Sequence, residues 1–254
     1  MTLKQIIIKG DLFDVVPGLE QTIDCVMTDP PYNTSNTNVK TFKDRANISA
    51  DFGEWDKFTD EEYLEFTKRW IGAVTPKLKE SGNLVTFCKM EYISDIKRIC
   101  RSLGYGHHAT IIWHKTNPVI SVRKRSFLSS CEAILWESKG YDESVRYTFN
   151  FGKQSEMHNF IETPICMGKE RYKHPTQKPR KVIDWLMKIF TNEGDCVLDP
   201  FAGTGTVMES CMELGRNSIS VEKEDKFVEM IRDRAGKNYG YRLDGGEIEM
   251  SGKV

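Results

Sequence analysis

No stretch of this 254-residue chain approaches the ~20 consecutive apolar residues that span a bilayer. Its N-terminus also lacks the basic-then-apolar order of a signal peptide, so no membrane partner is expected. Paired cysteines are missing as well. The seven cysteines stand at 25, 88, 100, 131, 166, 196 and 211 without a C-x-x-C, several of them inside apolar runs. That spacing excludes a zinc ribbon or a disulfide scaffold and fits buried free thiols in a reducing compartment, the cytoplasm. Charge of one sign is not in excess: 36 Lys and Arg oppose 37 Asp and Glu, a net charge of −1. No global field draws in a polyanion, so contact with nucleic acid must come from a local patch. Internal repeats are absent too.

What remains is the composition of an ordinary globular protein, 39% hydrophobic and 29% charged, long enough for one sizeable core. Gln5–Lys9 is a β-branched run that meets Gly10-Asp11, the pattern of a strand entering a loop. Residues 12–21 accommodate a helical turn or two. A second strand, Ile23–Thr28, ends abruptly at Asp29-Pro30-Pro31-Tyr32. Residues 33–57 are rich in Asn, Thr, Ser and Lys without a sustained period, which predicts a long mobile loop, a lid near the active face. Thr59 with Glu62 forms a capping box, and Tyr63, Phe66, Trp70 and Val74 follow at helical spacing until Pro76. Ser81-Gly82-Asn83 reads as a turn before the strand 84–88, and residues 91–103 as a second amphipathic helix closed by Gly104.

Strands at 109–113 and 131–136 follow, separated by residues 116–130. Residues 140–172 carry aromatics but no clean period and are expected to be irregular. A helix over 178–190, a strand at 196–199, a helix over 206–214, a strand at 218–222 and a helix over 224–236 complete the pattern. Residues 237–254 read as a flexible tail. Seven strands alternating with helices predict an α/β fold, doubly wound, with a mostly parallel sheet covered on both faces. Residues 1–236 would then form one domain, with 116–130 and 140–172 as recognition segments.

Three motifs carry chemistry. In the first, Asp29-Pro30-Pro31-Tyr32, proline fixes its own φ and restricts the residue before it. A rigid corner results, at the carboxyl end of a strand where α/β sheets place ligands. An acid beside an aromatic ring suits a planar ring bearing an amino group. Asp29 and the Pro30 carbonyl would accept its N–H bonds and localise the nitrogen lone pair, an effect worth roughly 3–4 kcal/mol per group. Tyr32 would stack on that ring. The second motif is Asp199-Pro200-Phe201-Ala202-Gly203-Thr204-Gly205-Thr206, a buried strand running into glycines at a helix start. Glu222 lies about 20 residues on, where dinucleotide folds place a ribose-binding acid. Met208 stands where a third glycine would be, which favours a nucleoside ligand lacking a pyrophosphate. The third motif, His174-Pro175-Thr176-Gln177-Lys178-Pro179, puts donors near a ligand carboxylate.

Together TDPPY, HPTQKP and VLDPFAGTGT resemble the S-adenosylmethionine-dependent amino-methyltransferases of DNA, in the permuted order called the beta class. The likeness runs from Gly10-Asp11 to about Arg234. It implies a Rossmann-like methyltransferase sheet with a small inserted recognition region. It further implies that Asp199, Phe201, Gly203, Gly205 and Thr206 build the cofactor loop, that Glu222 holds the ribose, and that Asp11 approaches the cofactor's adenine. By the same resemblance His174, Thr176 and Lys178 lie by the methionine part, while Asp29, Pro30, Pro31 and Tyr32 hold the target base, with Asp29 also facing the cofactor. No metal is called for.

A base inside a duplex cannot reach such a pocket, so base flipping is implied. Two basic clusters are candidates for DNA contact: Lys115 with Arg123, Lys124 and Arg125, and Lys169, Arg171 and Lys173 with Lys178, Arg180 and Lys181. In this family an Asp before Pro-Pro-Tyr goes mostly with N6-adenine. N4-cytosine remains the alternative, and a nicotinamide-dependent oxidoreductase or a non-catalytic DNA-binding module would each explain part of the pattern. The expected partner is double-stranded DNA, with room for a homodimer and a cognate restriction endonuclease, and the protein is expected in the cytoplasm, prokaryotic or phage-encoded.

Overall fold

Alternate residues of the central strands enter two different cores, and that division sets the architecture. In a computed structural model, residues 3–33, 39–40, 48–49, 58–120, 124–140, 146–172, 176–239 and 247–250 are described. Most of the expected lid over 33–57, and Arg123, Lys173 and His174, lie outside them. The strands of the main sheet are β1 (Leu3–Lys9), β2 (Ile23–Thr28), β5 (Leu78–Cys88), β6 (Tyr105–Lys115), β7 (Cys131–Lys139), β8 (Phe160–Thr163), β9 (Cys196–Asp199), β10 (Asn217–Glu222) and β11 (Glu247–Met250). Strands β3 (Val39–Lys40) and β4 (Ile48–Ser49) form a separate small hairpin.

Val26, Leu84, Ala133, Leu135 and Leu198 face one core, with α1 (Leu12–Val15), α2 (Asp60–Val74) and α3 (Ile93–Ser102). Cys25, Met27, Val85, Phe87, Ile134, Trp136 and Val197 face the other, against α4 (Arg180–Phe190) and α5 (Thr206–Leu214). Helix α6 (Asp225–Tyr239) packs Val228, Ile231 and Ala235 against Met208 and Met212 of α5 and Ile7 of β1. The period of two along strands and the apolar stripes on the helices produce a sheet covered on both faces. Among the described residues no helix is long and apolar enough to cross a membrane.

The sheet order is β11-β1-β10-β9-β2-β5-β7-β6-β8, and five of its eight pairings are parallel. All seven expected strands are present, with two more at the two edges. Strand β8 lies within the segment expected to be irregular; four residues are too few to show a period. Strand β11 lies within the expected flexible tail and pairs antiparallel with Leu3–Ile6. The turn expected at Ser81-Gly82-Asn83 is instead an irregularity inside β5. Ile23 pairs with Leu78 and Cys25 with Asn83, so the extra residues bow out of register, with Ser81 at φ 64°. The capping box forms as expected: Glu62 N donates to Thr59 Oγ1 at 3.2 Å, and Thr59 N to Glu62 Oε2 at 2.8 Å.

Direction decides what meets at the sheet's ligand edge. Strands β1, β10, β9, β2 and β5 run parallel, so their carboxyl ends coincide. Strand β7 runs against β5, and β6 against β7. The amino end of β7 and the carboxyl end of β6 therefore reach the same edge.

Candidate active site

That edge borders a cleft of about 1610 Å³. Its lining includes Asp11, the Asp29–Tyr32 corner, Glu132, Thr176, Lys178, the Asp199–Thr204 loop and Glu222. Two motifs about 170 residues apart are joined directly at its floor. Thr28 Oγ1, the last side chain of β2, donates to Asp199 Oδ1 at 2.7 Å, and the same oxygen accepts Phe201 N–H at 3.1 Å. Burial pushes the Asp199 carboxyl up to about 7 despite these two bonds.

The glycine loop adopts the left-handed backbone that its sequence foreshadows, with φ 51° at Gly203 and 74° at Gly205. A Cβ on Gly205 would stand 3.0 Å from Ile231 Cγ2, so the loop is pressed against α6. Glu222 accepts Gly203 N–H and Glu224 N–H at 2.8 Å each, one on each carboxylate oxygen. Burial raises this carboxyl's pKa. Asp11 caps α1 by accepting Phe13 N–H at 3.0 Å and receives Lys223 Nζ at 3.0 Å. Partial burial opposes its ionisation, but these two hydrogen bonds win and its pKa falls. Phe201 stands edge-on to Trp70, with centroids 5.7 Å apart, which fixes one wall of the cleft.

On the other side of the cleft, Asp29 and Lys178 form a tight pair, Nζ to Oδ2 at 2.6 Å. Lys178 also lies 3.2 Å from Glu132 Oε2 and within about 5 Å of the Tyr32 and Phe87 ring centres. Tyr32 OH donates to Glu132 Oε2 at 3.0 Å, and Lys115 Nζ meets Glu132 Oε1 at 2.9 Å. Burial raises the Asp29 pKa, with Lys178 opposing it. Glu132 goes the other way: burial resists, but Lys178 and Lys115 pull its pKa down to about 2. The second carboxylate oxygen of Asp29, Oδ1, is buried without a hydrogen-bond partner among the described residues. A buried orphan acceptor costs roughly 1–3 kcal/mol, a cost that a donor from a ligand or a water would remove.

Sequence reasoning missed Glu132. It was visible as a lone acid opening an apolar strand, but the antiparallel course of β7 that brings it here was not. Arg234 on α6 was missed as well. Fully buried, it donates to Thr204 O at 3.0 Å and to Thr206 Oγ1 at 3.3 Å, pairs with Glu209, and lies 4.6 Å from the Tyr172 ring centre. It thus clamps the glycine loop from behind. Asn33, next to Tyr32, takes φ 55°, which asparagine tolerates, and accepts Phe58 N–H at 3.0 Å. That bond joins the two described residues on either side of 34–57.

The basic clusters divide. Lys115, expected to contact DNA, is mostly buried against Glu132, and Arg180 is paired with Asp184 and Glu209. Lys178 faces two carboxylates rather than solvent. Each lies where the sheet edge or the α4 entry turns inward, and a cation there needs a counter-charge. Lys124, Arg125, Lys169, Arg171 and Lys181 are exposed, and Arg125 and Arg171 border the cleft.

The arrangement fits S-adenosylmethionine by its own chemistry: a side-chain-free glycine turn with the carboxylates of Glu222 and Asp11 on the same cleft. Comparison with known proteins agrees. Residues 23–233 match the DNA methylase family of N6 and N4 methyltransferases. The chain is 30% identical over 241 residues to the Type II methyltransferase M2.DpnII of Streptococcus pneumoniae, covering 91% of this chain and 89% of that protein. It is 30% identical over 249 residues to M2.LlaDCHI of Lactococcus lactis subsp. cremoris, covering 94% and 91%. Among solved structures, the M1.HpyAVI–SAM complex superposes with a TM-score of 0.73 at 26% identity, covering 90% of this chain and 98% of that one. The cytosine-N4-specific PvuII methyltransferase shares the fold, with a TM-score of 0.72 at 18% identity, covering 94% and 86%. The chain belongs to the DNA methylase family and is an S-adenosylmethionine-dependent DNA methyltransferase.

Proposed function

We propose that the methyl group goes to the N6 amine of adenine in double-stranded DNA, after the base has been flipped into the cleft. The observation that carries an amine target is the orphan Asp29 Oδ1, buried at the cleft beside the Tyr32 ring, and Asp rather than Ser before Pro-Pro-Tyr favours adenine over cytosine. An exocyclic amine has two N–H donors, and Asp29 Oδ1 with the Pro30 carbonyl supplies acceptors for them. Accepting both draws nitrogen toward tetrahedral geometry and frees the lone pair that the ring otherwise delocalises. Tyr32 stacks on the base, its plane set by the hydrogen bond to Glu132. The raised pKa of the Tyr32 phenol, from burial and from the charges of Asp29 and Glu132, keeps its proton for that bond.

S-adenosylmethionine, when bound, supplies an electrophilic sulfonium methyl. The chain positions and excludes water; proximity and alignment provide much of the rate. Glu222 would hold the ribose hydroxyls, Asp11 the adenine amine of the donor, and Thr176 the methionine end. Lys178 carries three N–H donors and uses two on Asp29 and Glu132, which leaves one for the donor's carboxylate. His174, which the resemblance also assigns to the methionine part, lies outside the described residues. The amine lone pair would form the new N–CH3 bond as the methyl–sulfur bond breaks, the electron pair leaving with the neutral thioether product, and the cationic nitrogen would then pass its proton to Asp29 or water. No base with a tuned pKa is needed.

Lys124 and Arg125 on one rim segment and Lys169 and Arg171 on another are assigned to phosphates, with Arg123 and Lys173 beside them in sequence. The names of the two Type II relatives support a restriction–modification setting with a cognate endonuclease. A homodimer is a further expectation. N4-cytosine is the second reading, favoured by the shared fold of the PvuII enzyme. The test is Asp29→Ala: cofactor affinity measured by calorimetry should stay within about threefold while methyl transfer to DNA falls at least ~100-fold. Retained transfer would remove Asp29 from the mechanism.

A further inference from the structure

The rim segment 124–130, between the ends of β6 and β7, holds a side chain that no protein contact accounts for. Phe127 is 102% exposed, as open as in an extended chain, and Leu128 beside it is 43% exposed. Val119 and Ile120 earlier in the same connection are about half exposed, as is Met90 after β5. Single exposed apolar residues are ordinary, but these five all border one cleft, the one that holds the Asp29–Tyr32 corner. The segment is anchored: Lys115 N donates to Ser130 O at 2.7 Å, and Ser130 N to Leu128 O at 2.8 Å. Phe127 is therefore carried a fixed few residues from Glu132 and from the pocket proposed to receive the base.

Lys124 and Arg125, both exposed, precede it directly. An aromatic ring on an apolar rim, led by two cations, matches the chemistry of a nucleic-acid duplex: stacked ring faces inside, phosphates outside. A protein or membrane surface would match the apolar part but not the placement around a DNA methyltransferase cleft. Flipping one base leaves a gap in the stack, and apolar side chains elsewhere enter such steps as wedges.

We propose that Phe127 inserts into the base stack at the position vacated by the flipped base, with Leu128 supporting it and Lys124 and Arg125 holding the flanking phosphates. This rests on the base-flipping reading above. Filling the gap offsets part of the unstacking cost, so the contribution appears only when the target starts out stacked in a duplex.

The experiment compares the wild type, Phe127→Ala and Phe127→Trp on three DNAs of one sequence. These are an intact duplex, the same duplex with an abasic site opposite the target, and the single strand. Phe127→Ala should lose at least about tenfold in kcat/KM on the intact duplex, and most of that loss should vanish on the other two. Phe127→Trp should retain duplex activity. Because Phe127 touches no core, melting temperature and S-adenosylhomocysteine affinity should not change. Equal loss on all three DNAs, or no loss on the intact duplex, overturns the wedge and leaves the base-flipping reading standing. Wild-type transfer confined to the single strand overturns the wedge too, whereas no transfer to any of the three overturns the reading beneath it.

Discussion

Lys178 and Asp29 lie 149 residues apart in sequence and 2.6 Å apart in space, with Lys178 only 6% exposed. The pair joins the end of β2 to the entry of α4 and occupies one carboxylate oxygen while leaving the other open. Replacing Lys178 by Met would leave a buried carboxylate without its counter-charge, a loss of about 3–5 kcal/mol in pairs of this kind. Asp29 would then take up a proton more readily. Chemical denaturation of Lys178→Met should show that loss, and its transfer rate should fall on the acid side at a higher pH than the wild type's. An unchanged midpoint and pH profile would mean that the pair carries little.

Glu132 holds Tyr32, Lys178 and Lys115 at once, so Glu132→Gln removes the charge and keeps the shape. The amide can still accept the Tyr32 hydrogen bond, but Lys178 and Lys115 lose their shared anion. The expected result is a kcat reduced by roughly 10- to 100-fold with cofactor affinity little changed. Glu132→Ala should be worse, because Tyr32 then loses its orienting bond as well. Steady-state kinetics on one DNA substrate would separate the two variants.

Gly205 tests the cofactor loop. An alanine there needs φ 74° with its Cβ 3.0 Å from Ile231. The left-handed conformation alone costs about 1–2 kcal/mol. Gly205→Ala should lower the melting temperature and weaken S-adenosylhomocysteine binding at least ~10-fold, measured by thermal shift and calorimetry.

Glu137 and His107 test the fold away from the cleft. They meet at 2.7 Å under α3, with Lys97 and Arg101 facing them. Burial pushes Glu137 up to about 8 and His107 down to about 4, so the pair is neutral in the folded protein over much of that range. Because the folded state holds a proton on Glu137 that the unfolded chain has lost, stability from Glu137 falls as pH rises from about 4.5 to 8. His107 acts in reverse, since its stability contribution is lost as pH falls through the unfolded value near 6.5 toward 4. Glu137→Gln removes the first dependence only. The difference in melting temperature, variant minus wild type, should therefore climb between pH 5 and pH 8, while a flat difference would contradict the burial argument.

The readable features were those with local causes. Two prolines after Asp29 stop a strand wherever they occur, and Gly203 and Gly205 declare a left-handed turn before any packing is known. Features that depend on distant pairing stayed hidden. Ser81-Gly82-Asn83 looked like a turn because those residues favour one; only the pairing of Leu78 with Ile23 shows that the strand continues past them. Lys115 looked like a free cation until the course of β7 put Glu132 beside it. Phe160–Thr163 is too short to show its period, and its strand exists because β6 offers an edge.

The central claim concerns which atom receives the methyl group. The purified protein, incubated with plasmid DNA and S-adenosylmethionine, would modify the plasmid, and the digested nucleosides would be identified by mass spectrometry. N6-methyladenosine in its deoxy form is the expected product, absent when Asp29→Ala replaces the wild type. N4-methylcytosine would contradict the adenine assignment, and no modified nucleoside on any DNA supplied would contradict the mechanism built on Asp29.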